Sequence, residues 1–117
     1  MSRDPSGEEL LPLTSVVFHT LLALARGPRH GYAIAREVEE VTDGRVKMGP
    51  GTLYGSLQRL RDRGLIAETE APERSEDAVH GDRRRYYELT PLGRTALRLE
   101  GERLARAAHL VQSRLGA

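Results

Sequence analysis

The sequence predicts a mainly α fold with a small β-hairpin, and three observations carry that expectation. Three segments with helical apolar spacing occupy residues 13–64, each closed by a Gly, Pro or Asp-Gly signal. Two segments that alternate in character, 65–70 and 83–89, flank a polar stretch. Leu97, Leu104 and Val111 then recur at every seventh position.

The elements follow in order. Residues 1–7 are polar and charged and read as a tail. A first helix is expected from 13 or 14 to 25, capped by Thr14 or Ser15, with Leu13, Val16, Val17, Leu21, Leu22 and Leu24 on a broad apolar face. Gly27-Pro28 ends it. A second helix over about 31–41 buries Tyr32, Ile34, Ala35 and Val38 and turns Arg36, Glu37, Glu39 and Glu40 to water. Thr42-Asp43-Gly44 is a turn signal, and 45–48 suit a short extended piece.

Pro50 suits the first position of a third helix, in which Leu53, Leu57 and Leu60 form one buried stripe and Gly64 forms the C-terminal cap. Residues 71–82 are too polar to bury and are expected as the tip of the hairpin. Thr90-Pro91 opens a last helix that runs to about 115, with Ala108 and Leu115 joining the seven-residue seam. Three helices and a hairpin make a winged helix-turn-helix over 13–89. A flexible tail, 1–12, precedes it and a dimerisation helix, 90–117, follows it. The seam has no partner inside so small a domain, so a second copy of the chain is the expected one, giving a homodimer.

Composition excludes several function classes. The 18 basic and 17 acidic residues nearly cancel, so bulk charge does not announce a nucleic-acid binder. Nearly all the positive charge is Arg, which suits bidentate contact to phosphate and guanine and is equally the mark of a GC-rich genome. The absence of Cys excludes disulfides, thiolate metal sites and cysteine nucleophiles. His19, His30, His80 and His109 show no i, i+4 pair, so no metal site is expected, and His30 is read as ordering the turn before the second helix. No phosphate loop, nucleophile elbow or carboxylate pair occurs, so no catalytic residue, no cofactor and no enzyme are expected.

The apolar stretch at 10–25 is broken by Pro12, Thr14, Ser15, His19 and Thr20, and the first residues lack the regions of a signal peptide. A cytoplasmic protein without a membrane partner is expected. Few aromatic residues and no Trp mean that any ligand pocket is mostly aliphatic.

The third helix carries the functional expectation. With its leucines inward, Gly51, Thr52, Gly55, Gln58 and Arg59 fall on the outer arc, and Tyr54 and Arg61 at its edge. Gly51, Thr52, Gly55 and Ser56 leave the helix start small enough for close approach to the floor of a DNA major groove. The free N–H groups there favour phosphate. Arg45 and Lys47 precede the helix as phosphate clamps, and Arg83, Arg84 and Arg85 put basic charge on the hairpin. Alternation puts Arg84 and Tyr86 on one face of that strand and Arg83, Arg85 and Tyr87 on the other, so only some of these arginines reach double-stranded DNA. Val17, Leu21, Leu97, Leu104, Ala108, Val111 and Leu115 are expected at the dimer interface. The rival expectation is a winged-helix module that binds protein without specific DNA binding, suggested by the near-neutral charge and the acidic hairpin tip.

Three stretches also carry a family resemblance. Leu21-Leu22-Ala23-Leu24-Ala25-Arg26-Gly27-Pro28-Arg29-His30-Gly31-Tyr32-Ala33-Ile34 resembles the opening signature of PadR-type regulators. Gly51-Thr52-Leu53-Tyr54-Gly55-Ser56-Leu57-Gln58-Arg59-Leu60, followed by Gly64-Leu65-Ile66, resembles their recognition helix. Arg84-Arg85-Tyr86-Tyr87-Glu88-Leu89-Thr90-Pro91-Leu92-Gly93-Arg94 resembles their second wing strand. The resemblance implies a homodimeric transcription factor, usually a repressor, that often responds to a small hydrophobic effector. It further implies DNA contact by Thr52, Tyr54, Arg59 and the wing arginines, and a dimer built by the first and last helices. The short C-terminal region is similar to the compact branch of the family. The long acidic tip and the missing Trp depart from the pattern.

Overall fold

The computed structural model describes residues 7–72 and 85–116. Four helices and three short strands follow in the order α1 (Ser15–Ala23), β1 (Arg29–His30), α2 (Gly31–Val41), α3 (Pro50–Asp62), β2 (Ile66–Thr69), β3 (Tyr86–Leu89) and α4 (Pro91–Leu115). The expected mainly α fold with a β-hairpin is present, and β1 adds a third strand. The sheet order is β1-β3-β2, all antiparallel, with His30 opposite Tyr86 and Glu68 opposite Tyr87. Two residues between Pro28 and a helix are too few to show alternation, so β1 leaves no periodic trace in the sequence.

Each helix starts where its capping chemistry places it. Thr14 Oγ1 accepts the N–H of Val17, and His30 Nδ1 accepts that of Ala33. Thr90 Oγ1 accepts the N–H of Gly93 and donates to the carbonyl of Gly64, so the cap of α4 also ties down the end of α3. Gly64, at φ +77°, takes the left-handed turn that a Cβ disfavours. Residues 45–48, expected as extended, form a bend and irregular chain, because the Thr42 hydroxyl accepts the N–H of Val46 and folds the segment back.

One apolar core joins the helices to the sheet. Leu21, Leu24, Ile34, Val38, Leu53, Leu57, Leu60, Leu65, Ile66, Tyr87 and Ala96 are buried together. Tyr86 is buried as well, against the ring of His30, so both tyrosines of β3 are covered where simple alternation expected one on each side.

The segment expected as a tail up to residue 12 is placed from Gly7. Glu8–Leu10 form a 3-10 turn on α4, with Gly7 against Thr95 and Leu99. Beside it lies Glu100, only 1% exposed. Its carboxylate accepts the N–H of Leu13 at 2.7 Å and both Nε and Nη2 of Arg103. The Arg103 guanidinium, helped by the Leu13 N–H, holds this carboxyl below the usual glutamate range against the opposing effect of burial.

Candidate nucleic-acid interface

α3 is anchored by Leu53, Leu57 and Leu60, all buried, which turns its other side outward. Gly51, Thr52, Gln58 and Arg59 are exposed and Gly55 half-buried, as the stripe predicts. A Cβ at Gly51 would meet nothing within 4 Å, and one at Gly55 would meet only Arg59 Nη1 at 3.6 Å. No contact among the described residues therefore calls for either glycine, although a glycine inside a helix, as at Gly55, costs about 1 kcal/mol.

Ser56 is corrected by the structure. It is 6% exposed and its hydroxyl accepts from Arg59 Nη2 at 3.3 Å. Position 56 lies one turn before Leu60 and therefore faces inward, so this serine steers Arg59 and offers no surface of its own. Gln58 Nε2 donates to Asp62 Oδ1 at 3.1 Å, which puts a carboxylate on the outer face.

Tyr54 lies half-exposed over Gly31. A Cβ at Gly31 would stand 3.2 Å from the Tyr54 ring and 3.3 Å from its hydroxyl, so the glycine makes the seat for the tyrosine. His30, Gly31, Tyr32, Tyr54 and Arg85 line an open hollow of about 660 Å³ beside it. Tyr32, expected on the buried face of α2, is instead 64% exposed at this hollow, and a seat made by an absent side chain, as at Gly31, has no periodic signature.

The cations divide into two groups. Lys47 Nζ lies 3.7 Å from Glu39, Arg61 Nη2 3.7 Å from Glu68, and Arg85 Nε 3.5 Å from Glu68. Arg45, Arg59 and Arg63 form no ion pair among the described residues. Arg83, Arg84 and the acidic tip lie outside the described residues.

The residues expected at a dimer interface also separate. Leu21 is 0% exposed and belongs to the core, so it has nothing to offer a partner. Val17 and Leu97 are partly buried against that same core. Leu104, Ala108, Val111 and Leu115 are exposed at 4-3-4 spacing on one face of α4, and that face continues the one that packs on the body at Gly93, Ala96 and Glu100. Leu110 is also exposed, but helical spacing puts it away from this stripe. Among the described residues no helix is long and apolar enough to cross a membrane.

Residues 20–99 match the transcriptional regulator PadR-like family. A 37.1 kDa protein of transposon Tn4556 from Streptomyces fradiae is 42% identical over 86 residues, 74% of this chain but only 22% of that protein. The transcriptional regulator Rv3488 of Mycobacterium tuberculosis is 36% identical over 83 residues, 71% of this chain and 69% of the relative. A PadR family transcription regulator from Clostridium difficile superposes with a TM-score of 0.68 at 26% identity, covering 89% of this chain and 100% of that one. Bacillus subtilis PadR in complex with operator DNA shares the fold, with a TM-score of 0.57 at 21% identity, covering 73% of this chain and 45% of that one. The family match runs from inside α1, through the helices and wing strands, into α4, and on that ground the protein belongs to the PadR-like family of transcriptional regulators and is not an enzyme.

Proposed function

We propose that the protein is a sequence-specific DNA-binding regulator that grips duplex DNA as a homodimer. The observation that supports this most is the bare start of α3, where Gly51 and Gly55 leave room that nothing among the described residues uses. Arg59 stands beside them without a carboxylate partner among the described residues. A helix of that shape approaches base edges closely, and an arginine there donates to guanine or phosphate. The Bacillus subtilis neighbour, held on operator DNA, supports the same reading.

The exposed stripe from Leu104 to Leu115 supports pairing through α4. Two copies would then set their recognition helices about 34–36 Å apart and read an inverted repeat. On this reading the protein is a cytoplasmic repressor. A small hydrophobic effector seated between the subunits releases it by favouring a different separation of the two heads.

The test is to select bound fragments from genomic DNA with purified protein and titrate Arg59→Ala on the enriched duplex by anisotropy. The variant loses about tenfold or more in affinity, the scale of one base-contacting arginine, and stays dimeric in sedimentation. Wild-type affinity in the variant removes Arg59 from the interface. A wild-type protein that binds enriched and scrambled duplexes equally favours the protein-binding module instead.

A further inference from the structure

β2 places Glu68 between two arginines from different elements. One carboxylate oxygen lies 3.7 Å from Arg61 of α3, and the other 3.5 Å from Arg85 at the foot of β3. The ladder fixes its position opposite Tyr87. Burial pushes the Tyr87 hydroxyl up, the Glu68 charge adds to that, and Arg85 pulls the other way. The carboxylate thus stands at the junction of recognition helix and wing, where a polyanion is proposed to dock. Glu39 does the same for Lys47 at the other end of α3. An anion in such a place opposes binding by its own charge and occupies the cations that phosphates would use.

We infer that Glu68 sets DNA specificity by holding Arg61 and Arg85 back from phosphates that arrive without the right bases. On an arbitrary duplex, phosphate contacts supply essentially all of the binding free energy, so occupying two cations weakens that mode directly. On the operator, base contacts from the rest of α3 add to the phosphate contribution. Base contacts that fix the register leave fewer of the phosphate contacts to Arg61 and Arg85, so the same carboxylate costs less free energy on the operator than on an arbitrary duplex. Glu68 therefore widens the ratio of operator to random binding, an element of repulsion against the wrong partner. A carboxylate that merely aimed Arg85 at DNA would act in the opposite direction, and the sign of the effect separates the two roles. The inference rests on the DNA-binding reading above.

The test compares wild type with Glu68→Gln, which keeps the size and removes the charge, across a series of NaCl concentrations. The probes are a mixed-sequence duplex and the duplex that the wild type enriches. The variant binds the mixed-sequence duplex about three- to tenfold tighter at low salt, as two exposed ion pairs allow. Its plot of log affinity against log salt steepens by about one to two, at ~0.9 per phosphate gained. Its preference for the enriched duplex narrows. Glu102→Gln, the same charge change on α4, leaves mixed-sequence affinity as it was. Unchanged or weaker binding of Glu68→Gln to the mixed-sequence duplex overturns the inference, as does an equal gain from Glu102→Gln. A wild type that discriminates while Glu68→Gln behaves identically sinks the role of Glu68 alone; a wild type that binds neither duplex sinks the DNA reading with it.

Discussion

The backbone N–H of Leu13 donates to the Glu100 carboxylate at 2.7 Å across 87 residues of sequence. The bond joins the approach to α1 with the third turn of α4. A buried carboxylate that loses this role leaves a backbone donor without its partner, at a cost of about 1–3 kcal/mol. Glu100→Ala is therefore expected to lower stability by about 2 kcal/mol in urea unfolding. The pH dependence has a definite sign. The carboxyl is held below its ordinary value in the folded chain, so its contribution is complete above the unfolded glutamate value and is lost as pH falls through the folded one. The stability gap between wild type and Glu100→Gln should stay constant from neutral to mildly acidic pH and shrink below that range. A gap that widens on acidification would contradict the assignment.

Gly93 fails to accept a side chain for a reason of packing. A Cβ there would stand 1.9 Å from the carbonyl oxygen of Leu65, a backbone atom that cannot turn away. Alanine normally gains a helix about 1 kcal/mol over glycine. Here overpacking, typically 1–3 kcal/mol and more against backbone, outweighs that gain. Gly93→Ala should lower the thermal midpoint by about 4 °C or more, and calorimetry of the purified variant checks it.

Gly55 should behave in the opposite way. Its Cβ would make ordinary contact with Arg59 at 3.6 Å, so Gly55→Ala gains helix propensity of about 1 kcal/mol. The added methyl meanwhile stands on the proposed DNA face. Thermal melts should rise by about 4 °C while affinity for the enriched duplex drops. A variant that is stabilised and binds as tightly as wild type would mean that DNA does not approach at this position.

Leu104 is 40% exposed in the protomer at the start of the free stripe. Leu104→Glu puts a charge where the proposed pairing needs an apolar contact, and burying it unpaired is strongly unfavourable. Sedimentation should show monomers or aggregated material. A soluble dimer of wild-type stability would place the contact elsewhere.

Much of the fold was readable because its signals are local. Thr14, Pro50 and the Thr90-Pro91 pair mark helix starts by chemistry that acts within one turn, and Leu53, Leu57 and Leu60 share a face by spacing alone. What escaped notice depends on chain segments far apart in sequence. Leu21 was indistinguishable from an interface leucine until α2 and α4 packed against α1; Ser56 is a local exception, because its place one turn before Leu60 follows from helical spacing alone. The Gly31 seat for Tyr54 needs two elements, and the Glu68 bridge three, in their final positions before they exist.

The crowding of aromatic rings around the hollow has a practical consequence. The chain has four tyrosines and no tryptophan. Tyr32 and Tyr54 line the hollow, Tyr86 meets the ring of His30 at its rim, and Tyr87 lies next to Arg85 and Glu68. Tyr32 and Tyr54, 64% and 49% exposed, are the two of the four tyrosines that present their rings to solvent, and both do so at the hollow. Their emission serves as a built-in optical reporter, so that docking there can be followed by quenching, without attaching a dye.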